Sequence, residues 1–402
     1  MGTQGHATDV VFLSGRRTPF GSFGGSLKGY SANDLGVFAA KAALDSAGVS
    51  GDAVQQVIFG NALQTSSDAI YLARHVGLRA GVPIETPALT LNRLCGSGFQ
   101  AIVSGAEQIL LREVDVALCG GAESMSQAPH VMRGARWGDL RLGEAGGFFE
   151  DLLWAALTDP YCGLSMAQTA ERLAEKYCIT REEADTVALL SQQRASEAWN
   201  DGRMSDEVAP VPIRTKKGEV LFNADEHMRP DTSLEALGSL RPYFRKDGLV
   251  TAGNASGIGD GAAAVVVSSS DWSRANGVKP IGKLVSWGIA GVPPDIMGIG
   301  PAPASRKALA RAGLSIDDMD LVDVNEAFAP QFAAVSKELG LDPGKTNVNG
   351  GAIAITHPLA ASGARITISL LHELRRRNAR YGLGTACIGG GQGMAVIVEA
   401  LS

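Results

Sequence analysis

The sequence predicts an α/β fold made of two related halves, with a long segment inserted into the first half. Short apolar runs such as VVFLS at 10–14 and VALCG at 116–120 alternate with helical patterns. This alternation favours βαβ units with mostly parallel strands and right-handed crossovers. The chain of 402 residues is long enough for two such halves.

An internal repeat is the second observation that predicts this fold. AGVSGDAVQQVIFGNAL at 47–63 aligns with AGLSIDDMDLVDVNEAF at 312–328, an offset of 265 residues. At the same offset, Ser97 and Ser362 each open a predicted helix with a glycine next to them, and a glycine-rich strand follows in both halves. A duplication in register predicts that the two halves pack face to face.

Residues 127–250 have no counterpart in the second half and form the predicted insertion. They are rich in polar helical patterns, and an insertion of this size commonly covers a site as a lid or supplies a binding surface. We therefore expect an N-terminal half at 1–276, which includes the insertion, and a C-terminal half at 277–402.

Composition and charge exclude several classes of function. A net charge of −6 and a pI near 5.6 argue against nucleic-acid binding, which usually needs a basic face. The five cysteines include no CxxC pair, so neither a disulfide framework nor a zinc site is expected, and a reducing compartment is favoured. We expect no metal, no redox cofactor, no secretory signal and no membrane span, which would need an apolar run of roughly 20 residues.

Cys95 stands at a predicted strand-to-helix turn, between PALTLNRL and SGFQAIVSGAEQILL. The free amide groups at a helix N-terminus favour negative charge, so this position favours a thiolate, the form that attacks carbonyl carbon. The alternative is a small buried hydrophobic residue, since free cysteine is often buried.

His357 is the predicted partner of this thiol. It lies three residues before the position that the repeat makes equivalent to Cys95. Pseudo-symmetry would bring the two turns together, and the imidazole would accept the thiol proton. A structural or surface histidine is the alternative.

Further candidates end the apolar strands of the second half. Asn325 and Cys387 both lie at strand ends, where α/β folds bind ligands. The N–H groups of the glycines at 389–391 could bind an oxyanion. A dinucleotide-binding loop is disfavoured there because a strand, MAVIVEA, follows it instead of a helix.

Motifs along the whole chain carry a resemblance to a known family. They are RRTPFGSFGG, NRLCGSGFQA, GGAESMSQAP, VTAGNASGIGDGAA, NEAFAP, NVNGGAIAITHPLAASG and CIGGGQG, in this order from residue 16 to residue 393. With them the chain resembles the thiolases, which are acyl-CoA C-acyltransferases. The resemblance implies the thiolase fold, in which duplicated βαβαβ halves pack as a layered αβαβα sandwich with an inserted loop domain.

The resemblance also assigns roles to the predicted site residues. It makes Cys95 the acylated nucleophile and His357 the base that activates it. Cys387 would be the acid that protonates the leaving acetyl-CoA carbanion and the base that deprotonates incoming coenzyme A. Asn325 would hold a water that, with His357, stabilises the enolate oxygen. The N–H groups of Cys95 and Gly389 would form a second oxyanion hole.

Coenzyme A or acyl-CoA is the implied substrate, with no permanently bound cofactor. The resemblance implies CoA contacts from Arg229 at the nucleotide, from Met166, Phe244, Ala252 and Ser256 along the pantetheine, and from Ala327 and Phe328 near the thioester. A core role for the two phenylalanines and a surface role for Arg229 are the alternatives. The resemblance further implies a homotetramer or homodimer, in the cytoplasm or, in a eukaryote, in the mitochondrial matrix or a peroxisome.

Two features depart from the usual pattern. Thr356 and Ala360 stand where the family's histidine motif, GHPLG, has glycines, and these side chains could reshape the pocket around His357 or lower activity. Ser165 stands where biosynthetic acetoacetyl-CoA thiolases carry a histidine, which favours the 3-ketoacyl-CoA thiolases of fatty-acid β-oxidation.

We therefore expect thiolytic cleavage of 3-ketoacyl-CoA to acetyl-CoA and a shortened acyl-CoA. An acetoacetyl-CoA-specific acetyl-CoA acetyltransferase and a catalytically impaired acyl-CoA-binding protein are the alternatives. The related ketoacyl synthases are disfavoured because they lack the second catalytic cysteine, which is present here as Cys387.

Overall fold

The computed structural model describes residues 8–138, 149–216 and 218–401. In these ranges the strands are β1 Val10–Arg17, β2 Gly21–Ser22, β3 Gln56–Gly60, β4 Ala88–Leu91, β5 Val116–Ser124, β6 His130–Met132, β7 Phe149–Asp151, β8 Thr158–Asp159, β9 Leu164–Ser165, β10 Val211–Thr215, β11 Gly218–Phe222, β12 Gly259–Ser269, β13 Gly282–Gly291, β14 Leu321–Val324, β15 Tyr381–Ile388 and β16 Gln392–Ala400. The α-helices are α1 Ala32–Ala47, α2 Leu72–Arg79, α3 Ser97–Leu110, α4 Leu152–Ala156, α5 Met166–Tyr177, α6 Arg181–Asn200, α7 Leu234–Gly238, α8 Ser270–Ala275, α9 Pro301–Ala312, α10 Ala329–Leu339, α11 Ala352–Ile355 and α12 Leu359–Arg377. Among these helices of the described ranges, none combines the length and the apolar character that a membrane crossing requires.

The main sheet is mixed, so the prediction of mostly parallel strands is wrong. Its strands run in the order β14-β15-β16-β13-β1-β12-β5-β3-β4, and β2 pairs with β12. The pairs β3/β4, β3/β5 and β14/β15 are parallel, and the other pairs on this path are antiparallel. A short hairpin connects β15 to β16, so these two strands pair antiparallel. In the first half, β12 takes the place beside β5 that β16 takes beside β15, and it is also antiparallel to its neighbour.

Helices cover the sheet in layers. α3 and α12 pack against each other between the two halves of the sheet, α1 and α2 cover the outer face of the first half, and α9 covers the outer face of the second. Side chains of β12 alternate between these layers: Val265 and Val267 lie in the core with α3 and α12, whereas Val266 lies in the core with α1. The layered αβαβα sandwich that the resemblance implies is confirmed.

The repeat is visible in the strand pairing. Val57 of β3 is paired with Leu118 of β5. Val322 of β14 is paired with Leu383 of β15, and both of these residues lie 265 positions further along the chain. The same register in both halves confirms that the halves are structural copies of each other.

The crossing of α3 and α12 brings the two halves together near the helix N-termini. A Cβ atom at Gly98 would lie 2.5 Å from the backbone nitrogen of Ala364. Gly363, which the repeat makes equivalent to Gly98, approaches the backbone of α3 in the same way. Glycine allows two backbones to approach this closely. Because Cys95 precedes α3 and His357 precedes α12, this crossing sets the distance between their turns.

The predicted insertion corresponds to a long connection. Residues 125–258 separate β5 from β12, whereas residues 389–391 separate β15 from β16. In the described part of the long connection, α5 and α6 pack on α10, and α6 also packs on α11. The connection therefore bridges the two halves. The division of the chain at residues 276 and 277 stays a prediction.

Candidate active site

Cys95 lies in a tight turn between β4 and α3. Leu94 adopts a left-handed conformation with φ 48°, and the hydroxyl of Ser97 donates to the Leu94 carbonyl over 2.7 Å. The backbone N–H of Gly389 lies near the Cys95 sulfur, where it acts to lower the pKa of the thiol. An amide that points at the nucleophile from another strand end is the arrangement expected for an oxyanion hole.

The hairpin between β15 and β16 orients the N–H of Gly389 toward Cys95. Gly390 and Gly391 have φ 79° and φ 82°, in the region that favours glycine. A Cβ atom at Gly389 would lie 3.2 Å from Cδ1 of Leu94 and 3.3 Å from Sδ of Met166. The glycines therefore let the hairpin turn tightly and approach the Cys95 turn.

His357 is held by its backbone and by both ring nitrogens. Its N–H donates to the Gly257 carbonyl over 3.0 Å. Its Nδ1 lies 2.6 Å from the Ser362 hydroxyl, and its Nε2 lies 3.3 Å from Nδ2 of Asn325. Because Nδ2 of Asn325 is a donor, Nε2 accepts and the ring proton sits on Nδ1, which donates to Ser362. Nε2 is therefore the proton acceptor of this imidazole.

Asn325 and Cys387 lie at the ends of the neighbouring parallel strands β14 and β15. The N–H of Asn325 donates to the Thr385 carbonyl over 2.9 Å, and its Oδ1 is buried without a hydrogen-bond partner. A buried acceptor in this position would bind a water. Cys387 is buried beside Ala327, and it is close enough to Cys95 that the charge on a Cys95 thiolate would raise its pKa further.

Burial favours the neutral form of both the thiol and the imidazole. It raises the pKa of the Cys95 thiol to about 11 despite the Gly389 N–H, and the charge of Glu123 adds to the rise. It lowers the pKa of His357 to about 3, with a smaller contribution from Arg365. Burial of the turn therefore opposes the thiolate that the amide groups near the start of α3 favour, and the resting thiolate stays a prediction. A neutral imidazole can accept the thiol proton as the sulfur attacks.

A cleft of about 570 Å³ leads to His357. The predicted CoA contacts that line it are Met166, Phe244, Ser256 and Phe328. Ala327 packs beside it. Arg229 and Ala252 line a second cleft of about 500 Å³, and the segment 252–257 contributes to both linings. The roles of these residues in CoA binding stay predictions.

Family models match almost the whole chain. A model described as "Thiolase, N-terminal domain" matches residues 10–271, and a model described as "Thiolase, C-terminal domain" matches residues 278–400. The chain belongs to the thiolase family. The predicted family and the predicted acyltransferase activity, with coenzyme A as a substrate, are confirmed.

Individual thiolases are similar over the same length. The mitochondrial 3-ketoacyl-CoA thiolase of Homo sapiens is 56% identical over 396 residues, which cover 97% of this chain and 98% of that protein. The beta-ketothiolase BktB of Cupriavidus necator is 51% identical over 394 residues, which cover 98% of this chain and 99% of that protein. A crystal structure of the human mitochondrial 3-ketoacyl-CoA thiolase in complex with CoA has a TM-score of 0.95 and 55% identity, and the match covers 98% of this chain and 99% of that one.

In the histidine motif of this thiolase, Thr356 is strained and Ala360 is not. Thr356 has φ 79° and ψ 172°, a conformation that is unfavourable for residues other than glycine. Its buried hydroxyl has no hydrogen-bond partner and would lie 2.6 Å from a Cβ atom at Gly259. Ala360 lies in the first turn of α12 with a helical backbone, so its methyl group needs no unusual conformation.

Ser165 begins the helix that carries Met166. Its hydroxyl accepts from the N–H of Gln168 over 3.3 Å, and its own N–H donates to Oε1 of Gln168 over 2.9 Å. These two bonds form a capping box. Ser165, which stands where biosynthetic acetoacetyl-CoA thiolases carry a histidine, therefore caps this helix at the edge of the first cleft.

Glu123 and Ser362 lie in the family motifs and near the site, but neither was among the predicted site residues. Ser362 accepts from Nδ1 of His357, and its repeat equivalent, Ser97, closes the Cys95 turn. The 265-residue offset was thus a usable signal for Ser362. For Glu123 the signal is a carboxylate inside an otherwise uncharged, fully buried strand, VALCGGAES.

Proposed function

We propose that this thiolase cleaves 3-ketoacyl-CoA with coenzyme A, through an acyl group carried on Cys95. The observation that carries the proposal is the position of the Gly389 N–H beside the Cys95 sulfur, with the buried Cys387 thiol close to the same sulfur and the buried imidazole of His357 bonded to Asn325. A nucleophile, a base, a second acid and oxyanion donors are the groups that a reversible Claisen reaction needs. The name of the human relative supports this class of substrate.

In the first half-reaction, the Cys95 thiol gives its proton to Nε2 of His357 while the sulfur attacks the C3 carbonyl of the substrate. The N–H groups of Cys95 and Gly389 bind the oxyanion of the tetrahedral intermediate, and removal of one such donor typically costs about 2.7–4 kcal/mol. The C2–C3 bond then breaks, and the acyl group stays on Cys95. A water on Asn325 and the protonated His357 stabilise the enolate oxygen of acetyl-CoA, and C2 takes its proton from Cys387.

In the second half-reaction, the Cys387 thiolate removes the thiol proton of incoming coenzyme A. The CoA sulfur attacks the acyl group, acyl-CoA leaves, and the Cys95 sulfur recovers its proton from His357. All protons are thereby returned. Burial raises the pKa of Cys387 above its usual value, so its thiolate is a strong base for the CoA thiol.

The acyl chain is expected in the apolar part of the first cleft. This part is lined by Met125, Trp154, Leu157, Ile258 and Leu359. Cys95 packs against the same apolar cluster, so a chain on its sulfur can lie along this wall. Burial of each CH₂ group stabilises binding by about 0.8 kcal/mol. The lining supports substrates longer than acetoacetyl-CoA.

The test is steady-state thiolysis of 3-ketoacyl-CoA substrates, from acetoacetyl-CoA to long chains, by the purified protein. We expect turnover that persists or rises with chain length, and a loss of at least about a thousandfold in the Cys95→Ser variant. Acyl-CoA should add one acyl group to the intact mass of the wild type and none to Cys95→Ser. Cys178→Ser changes an exposed cysteine at the end of α5 and should keep both properties.

Two results would replace this proposal. Turnover of acetoacetyl-CoA alone would identify an acetoacetyl-CoA-specific acetyl-CoA acetyltransferase. Binding of acyl-CoA without any turnover would identify a catalytically impaired binding protein, and the strain at Thr356 would then be the first feature to change.

We also propose that the protein assembles as a homodimer or homotetramer through the edge of the main sheet at β4. Within the described residues, β4 is the last strand of the sheet and pairs with β3. Leu89 on this strand and Ile84 before it are 44% and 70% exposed. Unpaired apolar edges invite association, and a second copy can cover such an edge across a twofold axis.

We propose that the protein resides in the cytoplasm or, in a eukaryote, in the mitochondrial matrix or a peroxisome. The human relative is named as mitochondrial. The free cysteines of the described residues support a reducing environment.

A further inference from the structure

Glu123 is a buried carboxylate near the end of β5 that the reaction described above does not use. Its side chain is fully buried, and the described hydrogen bonds to its carboxylate all come from uncharged N–H groups. Burial of a charge without compensation is strongly unfavourable. The groups that stabilise the buried charge of Glu123 therefore indicate the role of this residue.

Four N–H groups surround the carboxylate. Its Oε1 accepts from Nδ2 of Asn61 over 3.0 Å and from the N–H of Leu63 over 2.9 Å. Its Oε2 accepts from the N–H of Ala62 and from the N–H of Ala360, each over 3.1 Å. Three donors come from the loop after β3, and one comes from the first turn of α12. One side chain thus connects the two halves of the protein.

Both connected segments border the site. Leu63 packs in the apolar cluster that Cys95 contacts, and Ala360 follows His357 by three residues. The first N–H groups of a helix have no partners within the helix, and the helix dipole favours a negative charge beside them. Glu123 therefore holds the start of α12 electrostatically against the loop that packs beside the nucleophile.

We propose that Glu123 is a positioning residue for the thiolase reaction, and that its carboxylate holds the turn of Cys95 and the turn of His357 at their reacting separation. This inference rests on the proposed function of these two residues. The ionised group alone satisfies all four donors, because a protonated oxygen would turn its hydrogen toward an N–H group. Loss of the charge therefore loosens one half of the site against the other.

The charge of Glu123 titrates near neutral pH. Burial raises its pKa to about 7, against the lowering effect of the backbone N–H donors, and the charge of Asp260 on β12 adds to the rise. Cys95 and His357 face the same region, with pKa values moved to about 11 and about 3, so both stay neutral near pH 7. Thiolysis should therefore fall as the pH decreases below about 7.

The decisive variant is Glu123→Gln, which keeps the shape of the side chain but turns an NH₂ group toward backbone N–H donors. We expect kcat for thiolysis to fall by about a hundredfold, with KM for CoA within about twofold of the wild type. The acid limb of kcat near pH 7 should disappear. Alkylation of Cys95 by iodoacetamide, read from the mass of its peptide, should shift to lower pH because the nearby negative charge is gone.

Glu373→Gln is the control. Glu373 is a buried carboxylate near the C-terminal end of α12, the helix whose first turn Glu123 contacts. It accepts from Nδ2 of Asn349 over 3.0 Å and forms ion pairs with Arg376 and Arg377. Its replacement should lower the midpoint of thermal unfolding and leave both pH profiles unchanged. A structural role alone would make Glu123→Gln behave in the same way.

A wild-type kcat and an unshifted alkylation profile in Glu123→Gln would overturn the proposal. If Glu123→Gln does not fold, Asn61→Ser is the second variant, because it removes one hydrogen-bond donor to the Glu123 carboxylate. This variant should have a lower kcat, and the acid limb of its pH profile should move to higher pH. Wild-type values of both in Asn61→Ser would also overturn the proposal. Absence of thiolysis in the wild type would refute the proposed function instead. The alkylation profiles would still decide whether Glu123 acts on Cys95.

Discussion

Thr356, the residue immediately before His357, has a positive φ angle. Two backbone hydrogen bonds maintain this conformation. The N–H of Thr356 donates to the Ala352 carbonyl over 2.9 Å, and the N–H of His357 donates to the Gly257 carbonyl over 3.0 Å. Conformations of this kind cost about 1–3 kcal/mol and persist where the surrounding structure imposes them. The turn therefore keeps the imidazole in place despite an unfavourable side chain.

Replacement of Thr356 by glycine should stabilise the protein. Relief of strain contributes about 1–3 kcal/mol, and the greater chain entropy of glycine in the unfolded state offsets roughly 0.5–1 kcal/mol of this gain. We expect the midpoint of thermal unfolding to rise by about 2 °C and kcat to stay at or above the wild-type value. The control, Thr367→Gly in the interior of α12, should lower the midpoint. A midpoint of Thr356→Gly at or below the wild type would contradict the strain.

The positions of the site residues were easier to predict than their charge states. Each of them ends a strand or precedes a helix, so the repeat offset and the strand ends were enough to bring them together. The pKa of Cys95 depends instead on how deeply the turn is buried and on Gly389 and Glu123. Gly389 lies almost 300 residues away in the chain, and no local pattern encodes its effect.

The elements that matter most for the site are α3 and α12, because their crossing joins the two halves. Gly98→Ala should push them apart, since the new Cβ atom would lie 2.5 Å from the Ala364 nitrogen. Overpacking of this kind typically costs about 1–3 kcal/mol, occasionally more. We expect a lower midpoint of thermal unfolding and a kcat reduced by about tenfold or more, because Cys95 and His357, the proposed nucleophile and base, would move apart.

A matched control for this substitution is Gly238→Ala in α7. A Cβ atom at Gly238 would have no neighbour within 4 Å, so the midpoint should stay constant or rise slightly, because alanine favours a helix more than glycine does. If Gly98→Ala and Gly238→Ala had the same stability and kcat, the crossing of α3 and α12 would not set the geometry of the site.

The positions of the strands could be predicted from the sequence, but the directions in which neighbouring strands run could not. β12 and β16 are apolar runs like those of the parallel strands, and the direction of a strand depends on its connection. Three glycines connect β15 to β16, which is a short-range hairpin signal. The equivalent connection between β5 and β12 is the long insertion, so the same signal is missing there.

At the scale of the whole molecule, the duplication builds one site from two unlike turns. Ser97 and Ser362 are repeat equivalents, yet Ser97 closes the turn of the nucleophile and Ser362 holds the ring of His357. The insertion is present in the first half alone and contributes the lining of the first cleft through Trp154 and Met166. Equivalent turns of the two halves therefore carry different side chains around one site, with Cys95 in the first half and His357 in the second.

The exposed edge of β4 is where we expect two whole molecules to meet. Leu89→Lys would place a positive charge on this edge in both copies, and charged side chains on an edge strand oppose pairing. Light scattering after size-exclusion chromatography should give the mass of two or four subunits for the wild type and a lower mass for Leu89→Lys. Leu221→Lys on β11, another exposed leucine in a separate two-stranded sheet, should keep the wild-type mass. A monomeric wild type would contradict the assembly, and an unchanged mass of Leu89→Lys would show that the interface lies elsewhere.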